Sequence, residues 1–315
     1  MRALQYDAYG GIDRLVLREV PVPSFPPRGR AVQVRVVRAA LNPKDALFRK
    51  GRFRLISGGR FPKCCGLDFA GEVAASNSSR VRVGERVFGA LDEWRFARGT
   101  LAEYVVAAED ELAPLPDAVS FEHGAAVALV GLTALQALRD VARIAPGAEV
   151  LINGASGGVG TAAIQIARRL GARVTSVSSA ANLRLCANLG AAVTVDHGQG
   201  DFLASAGSFD CIFDVFGNLS FASARRALKA KGTFVSTVPS FSRAVRDVVS
   251  RLSSQRERLV VVRPNRNDLE QLATWMVRGE LRAVIDARYG LAQAAEAFRR
   301  LESKRARGKV LIEIA

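Results

Sequence analysis

The sequence predicts an α/β protein in which a mostly β first domain precedes a doubly wound parallel sheet. Three observations lead there. Short β-like runs, broken by glycine and charge, fill the chain as far as about Phe121. From Val150 onward, strands alternate with helices of roughly 10–15 residues, the mark of a parallel sheet covered on both faces. A glycine-rich turn joins the first of these strands to its helix.

The β-rich stretch starts with Leu15 to Leu17, then a proline-rich loop from Pro21 to Pro27, where missing N–H groups exclude a central strand. AVQVRVVRAA alternates with Val32, Val34 and Val36 on one face. AGEVAAS, GERVFGA and LAEYVVAA follow as further strands. A long Ala/Leu-rich helix starts near His123 and is broken by Pro146 and Gly147.

EVLING then reads as a strand, VGTAAIQIARRLG as a helix and ARVTSVS as a strand. In that helix Val159, Ala163, Ile166, Ala167 and Leu170 form one apolar stripe, and Gly171 caps its end. ANLRLCANLG is a helix, AAVTVD and FDCIFDVF are strands, SFASARRALKAKG is a helix and TFVSTV a strand. After Pro264 come helices in NDLEQLATWMVRGE and LAQAAEAFRRLES and a last strand, KVLIEI, expected to return to the first domain. The 315 residues fit two domains of roughly 150 each. The expected division is 1–122 with 264–315 for the first and 123–263 for the second.

The chain has 45 basic and 30 acidic residues, a net charge of +15. Such a surplus favours anionic partners, or else is a solvated arginine-rich surface. Arg243, Arg246, Arg251, Arg256, Arg258, Arg263 and Arg266 make a basic stretch. No aromatic residues alternate with them as stacking platforms for RNA would. Nucleic acid is therefore disfavoured as a partner. No uninterrupted apolar run reaches the roughly 20 residues of a membrane span, and the start carries Asp7 and Asp13. A cytoplasmic protein is expected. Cys64, Cys65, Cys186 and Cys211 show no disulfide framework, which suits a reducing compartment.

The central motif runs Asn153-Gly154-Ala155-Ser156-Gly157-Gly158-Val159-Gly160. Gly154, Gly157 and Gly160 permit a tight turn, a close backbone approach to a pyrophosphate and helix–strand packing. The helix start beyond them offers free N–H groups to phosphate. A strand before and a helix after complete the context of a dinucleotide site, the mark of a Rossmann domain. NAD sites usually place a carboxylate at the end of the second strand. No acidic residue occurs from Val150 to Val195. Ser178, Ser179 and Asn182 stand there instead, with Arg173 and Arg184 nearby. Hydroxyls and a cation suit a 2′-phosphate, so NADP(H) is the expected cofactor.

GASGGVG, FDCIFDVFGNLSF and RARGKV, with LNPKD, GLDFAGEV, VGERVFGA and TLAEY before them, resemble the zinc-free medium-chain dehydrogenases/reductases. The nearest group is the zeta-crystallin-like quinone oxidoreductases, in their alkenal/oxoene reductase-like subgroup. The resemblance covers essentially the whole chain. It implies a GroES-like catalytic domain, a Rossmann domain and a homodimer joined along the Rossmann sheet edge near Arg258 to Arg263. It places Asn42 and Asp45 by the substrate and nicotinamide, Thr133 by the nicotinamide, and Phe216 and Gly217 by the cofactor ribose. It puts His197 near the adenosine phosphate, and Val238, Gly308 and Lys309 with the cofactor. Asp68 falls where zinc-dependent relatives carry a ligating histidine.

A catalytic zinc needs about three converging Cys, His or acidic ligands. No histidine precedes His123. Cys64 and Cys65 are adjacent and read as core or cleft lining, so no metal is expected. Without a Lewis acid, the expected chemistry is hydride delivery to an activated acceptor, a quinone or an α,β-unsaturated carbonyl. Asn42 is the expected hydrogen-bond donor to the developing enolate. Lys44 is a second candidate donor, or else points to solvent. Leu47, Phe48 and Phe53 stand where several relatives have tyrosines. Phe48 and Phe53 could line an apolar pocket or belong to the core. Two other readings stay open: a non-catalytic NADPH sensor and an RNA-binding Rossmann protein.

Overall fold

The structure of the protein, a computed structural model, is described for all residues except 95, 206, 239–246, 248–249 and 251–253. Arg243, Arg246 and Arg251 of the basic stretch lie outside the described residues. The strands in chain order are β1 (Arg2–Tyr6), β2 (Leu15–Glu19), β3 (Ala31–Ala40), β4 (Lys63–Cys64), β5 (Asp68–Ser76) and β6 (Arg86–Ala90). Then come β7 (Tyr104–Ala108), β8 (Leu112–Pro114), β9 (Glu149–Asn153), β10 (Arg173–Ser178), β11 (Val193–Asp196) and β12 (Phe209–Asp214). The series ends with β13 (Leu228–Ser236), β14 (Arg256–Leu259), β15 (Ile285–Gly290) and β16 (Lys309–Glu313). The helices used below are α1 (Pro43–Arg49), α2 (Arg54–Ser57), α3 (Phe121–Leu135), α4 (Gly158–Arg169) and α5 (Leu183–Asn188). Two compact units result: Met1–Leu129 with Arg263–Ala315, and Val130–Val262.

The first unit holds a small sheet, β2-β1-β4, and a larger one, β15-β16-β3-β5-β6-β8, with β7 also paired to β3. β3 is its organiser. Val32, Val34 and Val36 are wholly buried, as their period-2 alternation requires. β16 runs antiparallel to β3, with Leu311 opposite Ala40. β5 flanks β3 on its other side, with Asp68 also opposite Ala40. β15 has no strand signal, because its residues are half-buried or exposed and do not alternate. Parallel pairing to β16 makes it an edge strand.

α3 runs on as a wider helical turn to Val141. This 21-residue helix is long and apolar enough to cross a membrane by length and composition, yet 83% of its apolar window is buried inside the protein. That burial is what a core helix shows.

The second unit is a six-stranded sheet, β11-β10-β9-β12-β13-β14, parallel throughout. This is the doubly wound order of a dinucleotide-binding sheet. α4 is buried from Gly160 to Ala167, and Arg168 and Arg169 stay exposed. Gly171 ends that region at φ +83°, where glycine alone is unstrained. The segment SFASARRALKAKG departs from its helical reading. Only Phe221–Ala224 is α-helix, and the chain enters β13 at Leu228. Leu228 pairs with Phe209 on β12, so parallel pairing overrides the helical preference of Ala and Lys.

Candidate functional site

In the second unit the glycine turn lies at the carboxyl ends of β9, β10 and β12. Each glycine has a separate reason. Gly154 sits at φ +81°, and an added Cβ would meet the Phe216 backbone and Cβ. Gly160 packs against backbone, and a Cβ there would fall 2.6 Å from Ala155 Cα. At Gly157 a Cβ would meet only Gly154 O at 3.5 Å, so this side of the turn is open. Open backbone beside a helix start can accept an anion. Ser156, Gly158 and Val159 are half-buried around it.

Asn153 and Asp214 hold the neighbouring loop. Asn153 Nδ2 donates to Asp214 Oδ1 at 2.8 Å and to Asn218 Oδ1 at 2.7 Å. The same carboxylate accepts from Gly217 N at 2.9 Å and Leu219 N at 3.1 Å. The turn therefore leaves Phe216 exposed against Gly154, and Gly217 abuts Val238. Sequence reading missed Asp214 as the organiser of this loop. Its signal is an acid that ends a buried strand, ahead of the positive-φ Gly217.

At the end of β10, Asn182 Nδ2 donates to Ser156 Oγ and Ser179 Oγ, both at 3.1 Å. Its Oδ1 is buried without a partner. Ser178 is buried and takes a contact from Cys186 Sγ at 3.7 Å, so Ser179 is the more open hydroxyl. Arg184 and His197 are exposed. Asp196 lies opposite Ser178, but its Oδ1 accepts from Gly198 N at 3.0 Å within its own turn. Thr133 is buried within α3.

In the first unit three strands bring together a buried polar cluster. The pairing of Leu311 with Ala40 carries Lys309 beside Leu41 and Asn42, and the β3–β5 register brings Asp68 alongside. Lys309 Nζ donates to Asn42 Oδ1 at 2.7 Å, Asp68 Oδ2 at 2.8 Å and Leu41 O at 3.0 Å. The resemblance places Lys309 with the cofactor; within this unit its ammonium is engaged by these three oxygens. An ammonium has three N–H bonds, and all three are taken inside this unit. Gly308 serves the same end. It sits at φ +82° against Val284, and Lys309 N then bonds Val284 O at 2.8 Å.

Asn42 Nδ2 donates to Asp68 Oδ2 at 2.9 Å and, at the limit of a bond, to Ala40 O at 3.4 Å. Only the second proton is loosely held and able to turn to another acceptor. Asp68 Oδ1 accepts from Leu129 N in α3 at 2.7 Å. Asn42 also caps α1: its N–H donates to Asp45 Oδ2 at 2.7 Å, while Asp45 Oδ1 is buried without a partner.

Burial pushes the Asp45 carboxyl up to about 7, against the downward pull of the Asn42 N–H. A carboxyl raised on folding stabilises the protonated form, so its contribution is full below the ordinary carboxylate range. It is lost as pH rises to about 7 and is flat above. Stability of the wild type is expected to fall by up to about 1.4 kcal/mol per pH unit across that window. Asp45→Asn keeps an acceptor for the Asn42 N–H and removes the slope, as urea unfolding at pH 5 and pH 8 will report.

Lys44 does not point to open solvent. Its Nζ lies 3.9 Å from the Trp94 ring centroid and 5.6 Å from that of Phe48. Burial lowers its pKa, because desolvation disfavours the ammonium. Phe48 is wholly buried and stacks on half-buried Phe53 at 4.8 Å. Phe48 is thus core, and Phe53 is the more open face of the pair. Burial raises the pKa of the Cys64 and Cys65 thiols, because desolvation disfavours the thiolate. His123 Nδ1 contacts Ser120 Oγ at 3.3 Å at the start of α3.

Residues 28–117 match the family model of the alcohol dehydrogenase GroES-like domain, and residues 189–312 match that of a zinc-binding dehydrogenase. The trans-enoyl reductase pgmF of Aspergillus terreus is 34% identical over 90% of this chain and 86% of its own. A quinone oxidoreductase of Pseudomonas aeruginosa is 31% identical over 99% of each chain. The solved quinone oxidoreductase from Coxiella burnetii superposes at a TM-score of 0.92 with 29% identity, covering 100% of this chain and 99% of that one.

The zinc that one of these descriptions implies does not fit the donor set. Among the described residues no group of three or more His, Cys, Asp or Glu could hold a metal ion. The buried Asp68 carboxylate is already bonded to an ammonium. By sequence over nearly its full length and by fold, the chain belongs to the quinone oxidoreductase family of the medium-chain dehydrogenases/reductases.

Proposed function

We propose that this oxidoreductase transfers hydride from NADPH to a quinone or an α,β-unsaturated carbonyl without a metal. The observation that carries the reading is the glycine turn. Gly157 faces open space, Gly154 and Gly160 are required by the backbone, and the β10 end presents Ser179 and Asn182 where NAD enzymes place a carboxylate. The names of the relatives support both acceptor classes.

Ser156, Gly157, Gly158 and Val159 would hold the pyrophosphate at the α4 start. Ser179, Asn182 and Arg184 would receive the 2′-phosphate, with His197 near it. Phe216, Gly217 and Val238 would flank the ribose, and Thr133 the nicotinamide. When bound, the reduced nicotinamide supplies a hydride, which is two electrons and one hydrogen. The acceptor also takes one proton, for which water is the source. In an enone the hydride adds at the β-carbon and negative charge moves to oxygen.

This chain's residues align the acceptor and donate to that oxygen. Asn42 offers its loosely held amide proton. Lys44 offers an ammonium N–H by leaving the Trp94 face. Asp45 fixes the Asn42 backbone. β14, last in the sheet order, would pair two copies, and a cytoplasmic, reducing setting suits the four free cysteines.

NADPH consumption with a panel of quinones and 2-alkenals, run beside NADH and with chelator, tests the reading. Turnover that prefers NADPH and ignores chelator supports it. Tight NADPH binding without turnover favours a sensor. Ser179→Asp puts a carboxylate at the half-buried end of β10. KM for NADPH is expected to rise about tenfold or more, while KM for NADH does not rise. Equal losses for both cofactors would remove the 2′-phosphate assignment.

A further inference from the structure

We propose that the Lys309 ammonium is a built-in cation filling an all-oxygen cation site formed by Leu41 O, Asn42 Oδ1 and Asp68 Oδ2, and that it positions the Asn42 amide. Nothing in this inference needs the reductase reading, although it bears on how Asn42 acts within it.

The three oxygens stand 2.7–3.0 Å from Nζ. Asp68 is wholly buried, and Leu41, Asn42 and Lys309 are at most 4% exposed. One is a carboxylate, one an amide oxygen and one a backbone carbonyl. Without the lysine they would form a buried, negatively charged nest of hard oxygen donors, which is costly to leave uncompensated. The nest is preformed. Asp68 is tied by its other oxygen to Leu129 N, Leu41 N is bonded to Val310 O, and Asn42 N is bonded to Asp45.

The cation arrives on β16, a strand that follows Asn42 by more than 260 residues. Its delivery depends on Gly308, which lets the backbone lie against Val284. Nζ also decides which end of the Asn42 side chain faces which way. The oxygen must point to the ammonium, so the NH2 faces Asp68 and Ala40 O. Lys309 is thus a positioning residue for Asn42. Its chemical ligand class, once the side chain is removed, is a primary ammonium ion.

The test is rescue by a free ammonium. Lys309→Ala leaves the nest and a channel along the lost side chain. Lys309→Met fills the channel and leaves the charge uncompensated. Both are expected to lose about 10 °C in Tm. Ethylammonium chloride should restore Tm to Lys309→Ala in a saturable way. Tetramethylammonium and sodium chloride at equal ionic strength should not, and Lys309→Met should not respond to ethylammonium.

If Lys309→Ala does not fold alone, refolding from urea with each salt gives the same comparison, and recovery in neither salt overturns the proposal. Equal rescue of both variants, equal rescue by tetramethylammonium, or a Lys309→Ala variant as stable as wild type also overturns it. In the wild type, a slowly exchanging lysine NH3⁺ resonance at neutral pH that disappears in Lys309→Met is expected, and its absence counts against the ammonium. If the chain reduces an acceptor, ethylammonium should raise kcat of Lys309→Ala more than it changes KM. The Tm arm stands whether or not turnover is found.

Discussion

Gly160→Ala is expected to loosen the second unit and abolish tight cofactor binding, whereas Gly157→Ala keeps the fold and loses only the cofactor. At Gly160 the new methyl would fall on the Gly154 carbonyl and within 2.7 Å of the Ala155 backbone. These are main-chain atoms, so no side chain can swing away. α4 must move off the turn, at a cost of about 1–3 kcal/mol. At Gly157, φ is −80° and ψ 177°, a conformation alanine adopts freely. Its stability should therefore hold within about 0.5 kcal/mol. The methyl then occupies the open side of the turn, and NADPH affinity should fall about tenfold or more. Urea unfolding and cofactor fluorescence titration on both variants separate the two effects. Unchanged NADPH affinity in Gly157→Ala would mean that the pyrophosphate sits elsewhere.

Asp68→Ala is expected to be among the most damaging single changes in the first unit. It leaves the Lys309 ammonium buried with two neutral acceptors and without its bonded carboxylate, and it takes one acceptor from Leu129 N. Breaking one side of a buried pair costs about 3–5 kcal/mol. Removing both charges, in Asp68→Leu with Lys309→Met, should recover most of that loss, because no lone charge remains. The four unfolding free energies form a cycle whose coupling measures the pair. A loss below about 1 kcal/mol in Asp68→Ala would show that water reaches the ammonium.

Much of the Rossmann unit could be read from the chain, because its signals are local. A strand, a glycine turn and an amphipathic helix follow one another within 25 residues, from Glu149 to Arg173. Repetition of that unit implies the parallel sheet. The same locality set Gly154, Gly157 and Gly160 in their turn. Phe216 and Val238 carry no such signal, and their place beside the turn depends on Asp214 folding the loop after β12. β15 escaped because its pairing partner, and not its own pattern, makes it a strand. The helical reading of SFASARRALKAKG gave way for the same reason.

The sequence by itself determined the two-part α/β architecture and the glycine turn after β9, since periodicity and glycine spacing need no tertiary information. Only the tertiary structure decided where Lys309 goes. A G-K pair near the C-terminus reads as readily for a phosphate as for a carboxylate. Strand register makes the choice: β16 lies beside β3 and β3 beside β5, so one ammonium meets Asn42 and Asp68 from opposite ends of the chain. Register is a property of paired strands, set by which faces must be buried together.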